Sequence, residues 1–200
     1  MKRLLIIALT LLAVSCGNKD SRSGAGKEKS ESMKEVELSV LGQEDLFDAI
    51  AKQWMLITAG DKDSFNTMTA SWGGFGNLWN RPVAFIFVRP DRYTHDFIER
   101  SDKVTLSFFP EQYRQALQIC GTKSGRDCDK VAEAGLTPLE LPDGTMTFGE
   151  ARLVVDGKKI YKCELDRAGF IDPSVLSVYE GVKDLHTVYV LEIEKVYSAE

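Results

Sequence analysis

The apolar runs of this chain follow one another too closely for most folds. Trp54–Ala59 ends in a Gly60-Asp61 turn; Asn66–Trp72, Val83–Val88 and Lys103–Phe109 come after it. Parallel neighbours need a long crossover, usually a helix, whereas antiparallel neighbours need only a tight turn. Most of these gaps are too short for a crossover, so the sheet is expected to be mainly antiparallel. Val36–Val40 alternates and reads as an edge strand, and Thr187–Val196 as a long closing strand. Phe148–Val155 and Lys159–Leu165 flank Asp156-Gly157, a strong hairpin signal. The helices between them are short: Asp45–Lys52, Thr94–Arg100 with Thr94 as N-cap, Glu111–Ile119, and Asp127–Ala134 stopping at Gly135. The expected class is mainly β with short helices, an antiparallel barrel of seven or eight strands closed on itself.

The N-terminus has a different character. Met1-Lys2-Arg3 is short and cationic, and Leu4–Val14 is apolar except for Thr10. That run is shorter than the roughly 20 residues a spanning helix needs. With a small-residue ending it fits an export signal over residues 1–15. The Ala13-Val14-Ser15-Cys16 ending resembles a bacterial lipobox, with Ala13 where Leu is commoner. Cys16 is then the expected lipid-bearing first residue of an exported, membrane-anchored protein facing the periplasm or the cell surface. Residues 16–35 are rich in Gly, Ser, Lys and Glu, bury too little to fold, and read as a tether. The remaining stretch, residues 36–200, is long enough for one domain with a real core. The whole chain carries −5, and removing Lys2 and Arg3 with the signal leaves −7. Such acidity argues against nucleic-acid binding, which depends on neutralising phosphates. Two His residues and no CxxC argue against a structural zinc site.

Three segments carry more polar chemistry than packing requires. Asn66-Thr67-Met68-Thr69-Ala70-Ser71-Trp72 alternates, with Thr67, Thr69 and Ser71 on one face. Such hydroxyls can meet a heterocycle or a phosphate, or simply face solvent. The Gly73-Gly74-Phe75-Gly76 run after it reads as a turn. Arg89, Arg92, Tyr93 and Thr94 gather at a helix start, where free N–H groups and a partial positive charge suit an anion. Ser124, Arg126, Asp127 and Lys130 lie at another helix start, without the P-loop pattern.

Taken together, NTMTASWGG, RPVAFIFVRPDRYT, VTLSFF, CGTKSGRDCDK and AGLTP resemble, in order and spacing, the flavin reductase-like proteins that bind FMN in a split β-barrel, including the flavoredoxin group. LHTVYVLEIEKV is similar to that family's closing strand. The resemblance implies an FMN-binding split β-barrel of antiparallel Greek-key type, a homodimer with FMN near the subunit interface, and oxidoreductase or electron-transfer activity. The alternative is a flavin carrier or sensor that kept the barrel without redox turnover.

By the same resemblance, Asn66, Met68, Thr69, Ala70, Ser71 and Trp72 lie along the flavin, with Arg89, Arg92, Tyr93 and Thr94 on the phosphate side. Ser124, Arg126, Asp127 and Lys130 match the SGRDxDK string; Arg126 and Lys130 reach the phosphate or pair across the dimer. Trp72 and Trp79 stack near the flavin or serve as core or interface aromatics. His186 is the candidate polar group near a substrate, or else a satisfied strand-end residue; His95 is expected on a helix surface. Cys120 is a buried thiol near the flavin or is bridged to Cys128, and Cys163 is expected in the core. Many relatives use NAD(P)H, which an exported protein would not meet freely. The expected partner is therefore a membrane-bound or exported redox protein.

Overall fold

The computed structural model describes residues 33–199. The export signal, Cys16 and residues 17–32 of the tether lie outside the described residues. Ten strands and four short α-helices follow in order: β1 (Met33–Val36), α1 (Leu46–Asp48, continued by a π-turn Ala49–Gln53), β2 (Met55–Asp61), β3 (Ser64–Ala70), β4 (Gly73–Leu78), β5 (Arg81–Val88), α2 (Tyr93–Arg100), β6 (Lys103–Phe108), α3 (Arg114–Thr122), α4 (Lys130–Ala134), β7 (Pro138–Glu140), β8 (Met146–Phe148), β9 (Leu153–Glu164) and β10 (Thr187–Ala199). Every strand pairing is antiparallel, as the short connections require.

The main sheet runs β3-β2-β6-β9-β10-β5-β4, and β1 pairs with the far end of β10. One face of this sheet curls around a single apolar core. Met55 and Ile57 of β2, Met68 and Ala70 of β3, Ile86 and Val88 of β5, Leu106 and Phe108 of β6, Val155 of β9 and Leu191 of β10 all point into it, and α2 plugs one end with Phe97 and Ile98. The outer face of β2, β9 and β10 carries a second core beneath α3 and the β7–β8 hairpin, including Leu56, Leu117, Cys120, Phe148, Val154 and Tyr197. The expectation of a closed barrel is corrected: β3 and β4 are the two unpaired ends of the hydrogen-bonded path, so the barrel is split between them.

The split falls where the chain passes from β3 to β4 through only Ser71 and Trp72. Two consecutive strands therefore lie at opposite ends of the sheet. Gly73 permits the crossing, because a Cβ there would stand 2.9 Å from the Phe85 carbonyl oxygen. The Gly73-Gly76 run is accordingly strand β4, paired with β5, not a turn.

Two further expectations are corrected. The segment before the barrel begins its strand at Met33, within the expected tether, and Leu38–Gln43 is a helical turn rather than strand. Asp156-Gly157 is not a hairpin turn but the interior of the twelve-residue β9. Gly157 is needed for a different reason: a Cβ on it would come within 2.9 Å of Leu191 Cβ on β10, beside a bulge between Ile193 and Lys195.

Asp156 itself is fully buried. Lys103 pairs with Asp143 at 2.7 Å and Glu194 at 2.6 Å, and lies farther from Asp156, at 3.6 Å. As a carboxylate, Asp156 finds no hydrogen-bond donor. Protonated, its O–H is donated to Asp143. Burial and the Asp143 charge raise the Asp156 carboxyl to about 7. Burial opposes ionisation of Asp143 too, but hydrogen bonds from Asp156, Lys103 and Thr145 outweigh it and hold that group below the usual range. Because the folded chain keeps a proton on Asp156 that the unfolded chain releases above about pH 4, stability falls as pH rises from about 4 to 7. Denaturant titrations are expected to show a loss on the order of 2 kcal/mol between pH 5 and 7. Asp156→Asn, which can donate to Asp143 at any pH, is expected to flatten that dependence.

Candidate functional site

The split opens into a groove of about 300 Å³ lined by the end of β3 and its crossing (Met68, Thr69, Ala70, Ser71, Trp72), the end of β5 (Phe87, Arg89), Arg92, and the β9–β10 connection (Val178, Tyr179, His186). A smaller cavity of about 130 Å³ shares Met68 and Arg92 with it. Asp91, Tyr93, Thr94, Cys120, Thr122, Lys123, Ser124 and Lys130 complete that lining. The two adjoin at Met68 and Arg92, giving an aromatic-lined end of mixed polarity at the split and a basic end at the start of α2. The volumes suit part of a drug-sized ligand.

The basic end is built from two cations that share no acid. Lys130 is the first residue of α4, positioned by Asp129, whose side chain caps the helix by accepting from the Ala132 N–H. Its side chain is buried, and Nζ donates to the carbonyls of Cys120 and Lys123, both at 3.3 Å. Among the described residues no carboxylate pairs with it. Burial, followed by repulsion from Arg92, lowers its pKa. Arg92 donates to the Gly121 carbonyl at 3.2 Å. Asp91 is the one acid on this cavity, and its carboxylate lies 3.4 Å from Arg89. The N-terminus of α2 borders the same space with no side chain capping it. A buried cation normally pairs with an acid; here Lys130 is buried without one and lines a cavity together with the half-buried Arg92, the arrangement an anion would complete.

Thr94 is not the N-cap of α2. Arg92 holds that position, and Thr94 sits inside the helix, buried, accepting a 2.7 Å hydrogen bond from Asn66 Nδ2. The hydroxyl row of β3 is likewise committed to the protein. Thr67 donates to the Ile57 carbonyl and accepts from Thr58 at 2.9 Å, and Thr69 donates to the Leu117 carbonyl within α3. Thr69 therefore contributes wall and backbone to the groove, and only Ser71 of the three has no side-chain bond within the protein among the described residues.

Not every sequence candidate reaches the groove. Arg126 pairs with Asp96 at 2.7 Å and lies over the Tyr93 ring at 4.6 Å. Arg126, Asp127 and Asn66 border another cavity, which meets the basic end only at Lys130. Ser124 lines the basic end, and its Oγ accepts from the Arg126 N–H at 3.2 Å. Trp79 is away from the groove, exposed, and packs edge-on against Tyr161 at 5.8 Å. His186 does line the groove, while His95 meets Thr187 at 3.2 Å on the far side of α2. Cys120, Cys128 and Cys163 are free, which removes the Cys120–Cys128 bridge. Burial raises the Cys120 thiol to about 11, so it stays protonated, and Cys163 is exposed rather than in the core. Phe87 and Tyr179 were not legible as site residues. Phe87 reads as one more apolar strand residue, and Tyr179 lies in a connection with no motif.

With this geometry in view, the comparisons are decisive about family. A family model, the flavin reductase like domain, matches residues 47–200. The chain belongs to this family. No curated protein matches the chain. Among solved structures, an FMN-binding domain of a flavin reductases-like enzyme from Shewanella baltica OS155 is 15% identical, with a TM-score of 0.61 over 86% of this chain and 80% of that one. Flavoredoxin of Desulfovibrio vulgaris (Miyazaki F) is 24% identical, with a TM-score of 0.57 over 74% of this chain and 69% of that one. Flavoredoxin from Methanosarcina acetivorans is 21% identical, with a TM-score of 0.59 over the same shares. These likenesses show that the flavin reductase-like chain has the split-barrel fold.

The buried Lys130 gives a direct test of whether the basic end is built for a ligand rather than for stability. Lys130→Met removes an unpaired buried charge, and with it two hydrogen bonds to carbonyl oxygens, while keeping an unbranched side chain only one atom shorter. In ligand-free protein it is expected to raise Tm by about 2–4 °C, equivalent to ~1 kcal/mol, measured by thermal unfolding.

Proposed function

We propose that the chain is an FMN-binding oxidoreductase or electron-transfer protein, held at a membrane by lipid on Cys16. One observation carries the reading: two cations without an acid of their own, Lys130 and Arg92, close the end of a groove whose other end sets Trp72, Phe87 and Tyr179 beside hydroxyl and imidazole groups. FMN has this shape of chemistry, a phosphate at one end and a flat, mostly apolar tricycle at the other. Arg92, Lys130, the open start of α2, and Ser124 would hold the phosphate. Met68, Ala70, Trp72 and Phe87 would flank the ring, and the Ser71 hydroxyl would meet its polar edge. When bound, FMN would supply the hydride and single-electron chemistry, which side chains cannot. The protein's part is to orient the ring in the split, exclude water from one face and set the charge around it. The likeness to the FMN-binding domain from Shewanella baltica and to the flavoredoxins supports this assignment.

The homodimer expected of the family is supported by two features that leave surface to cover. The outer edge of β4 is unpaired, and Trp79 and Tyr161 form an exposed aromatic pair. The exported position is supported by the cationic start, the apolar run and the Cys16 ending. It points to a membrane-bound or exported redox partner rather than free NAD(P)H. The tether and the pairing of β1 with β10 would set the barrel at a distance from the lipid.

Two measurements test the reading. The purified full-length protein, incubated with FMN and desalted, is expected to retain a flavin spectrum. Arg92→Ala and Lys130→Met are each expected to weaken FMN binding about 10–100-fold, the worth of one charge-assisted hydrogen bond. A colourless protein, or unchanged affinity in both variants, removes the assignment. Flavin that is retained but that no donor reduces favours the carrier reading. For the anchor, Cys16→Ser is expected to abolish labelling by radioactive palmitate and to release the protein from the membrane fraction. Continued labelling places the lipid elsewhere.

A further inference from the structure

The connection between β9 and β10 carries a side-chain pair that the flavin reading does not use. Pro173–Tyr179 is a helical turn whose start is capped by Asp172 accepting from the Ser174 N–H. It ends at Tyr179, which is only 5% exposed. The Tyr179 hydroxyl lies 2.9 Å from His186 Nδ1, just before β10. The imidazole is held on both sides: its centroid lies 5.0 Å from Trp72 and 5.6 Å from Tyr179. Phe170 in turn packs edge-on against Tyr179 at 5.8 Å. Both members of the pair line the groove.

We propose that Tyr179 is a positioning residue that holds His186 as the neutral tautomer protonated at Nε2, so that the groove mouth offers a ring N–H to a carbonyl-type oxygen on the molecule that meets the flavin. The proposal rests on the flavin reading for its setting. The direction of the hydrogen bond follows from counting protons. A neutral imidazole has one donor and one acceptor nitrogen. Among the described residues the Tyr179 hydroxyl has no other partner. If Nδ1 carried the proton, the buried phenol hydrogen would have no acceptor, at a cost of ~1–3 kcal/mol. The phenol O–H therefore donates to Nδ1, and the ring proton sits on Nε2.

The charges around the pair keep both groups neutral. Burial, followed by Arg89 and Arg92 on the β5–α2 link, disfavours the imidazolium, and Asp91 opposes them only in part. Burial likewise raises the Tyr179 phenol, against the pull of Arg89, so it keeps its hydrogen. Trp72 on the third side brings no charge. A neutral N–H between aromatic faces suits a planar, uncharged carbonyl compound better than a carboxylate, for which an imidazolium would serve.

Histidine-ring nitrogen NMR on the full-length, ¹⁵N-labelled protein tests this, and His95→Gln leaves His186 as the single ring signal. The expected pattern is Nε2–H with an unprotonated Nδ1 from pH 6 to 8, with or without FMN. Tyr179→Phe keeps the ring stack and removes only the donor. It is expected to mix the two tautomers and to raise the His186 pKa, since the lost bond favoured the neutral form. A wild-type Nδ1–H tautomer, an imidazolium at pH 7, or an unchanged Tyr179→Phe spectrum overturns the proposal. In FMN-loaded protein, titration with cyclohex-2-enone as a small carbonyl probe is expected to move the Nε2–H resonance. Movement of the Trp72 indole signal without it overturns the donor role. Failure to take up FMN with the tautomer intact removes the flavin setting and leaves the Tyr179–His186 assignment standing.

Discussion

The refusal of β3 and β4 to pair is the constraint on which the rest of the molecule depends. Two residues join them, yet they stand at opposite ends of the strand order, on either edge of the split. The chain must therefore pass across the gap at Ser71-Trp72, and it leaves there a length of strand whose backbone has no ladder partner. In a closed barrel those groups would be satisfied and the interior filled. In a split one they face a groove, and the side chains at the crossing become its walls. The same geometry brings the end of β5 and the start of α2 alongside, because β5 is the strand that β4 pairs with. Position in the sheet thus places Met68, Trp72, Phe87 and Arg92 together, although twenty-odd residues separate the first from the last.

Charge is handled in two contrasting ways inside this framework. At Asp156 a buried carboxyl lies beside Asp143 and at the edge of Lys103's reach, and the fold resolves the conflict by keeping a proton. Lys130 meets only carbonyl oxygens and another cation. Nothing internal to the described residues neutralises it. The first arrangement is self-contained and serves the fold. The second is incomplete, and its missing charge lies on the side of the cavity. That asymmetry separates a structural ionisable cluster from a binding one more clearly than burial does, since both groups are buried.

The antiparallel class was legible from the spacing of the apolar runs, because loop length limits topology whatever the side chains do. Several groove-lining residues were legible too, but only through ordered strings resembling a family; those strings singled out Met68, Ala70, Trp72, Arg89, Arg92 and His186, which line one groove. Short local signals were less dependable: Gly135 does stop α4 in the left-handed conformation, but three others misled. Asp-Gly marks a hairpin when both residues are free to turn. Here Gly157 is present because Leu191 leaves no room for a Cβ, and Asp156 because the strand's buried face meets Asp143 and Lys103. The alternating hydroxyls of β3 looked ligand-directed, yet Thr67 and Thr69 serve Ile57 and Leu117. Thr94 had the chemistry of an N-cap, but Asn66 claims its oxygen from another strand. Each of these outcomes is decided by a partner distant in sequence.

Tyr179 shows the same limit from the other side. No motif surrounds it, and its segment is the most exposed of the longer connections. Its importance comes from one hydrogen bond across seven residues and from the aromatic ring on each side of it. The basic end of the groove draws in a negative group, and Arg89 and Arg92 extend that field to the mouth, where it would suit an anion equally well. The neutral His186 works against this. Because Tyr179 satisfies Nδ1, the imidazole adds a directional donor without adding charge, so the two ends of one groove can take opposite kinds of chemistry: a formal anion where Lys130 is buried, and an uncharged acceptor where Trp72 and His186 meet.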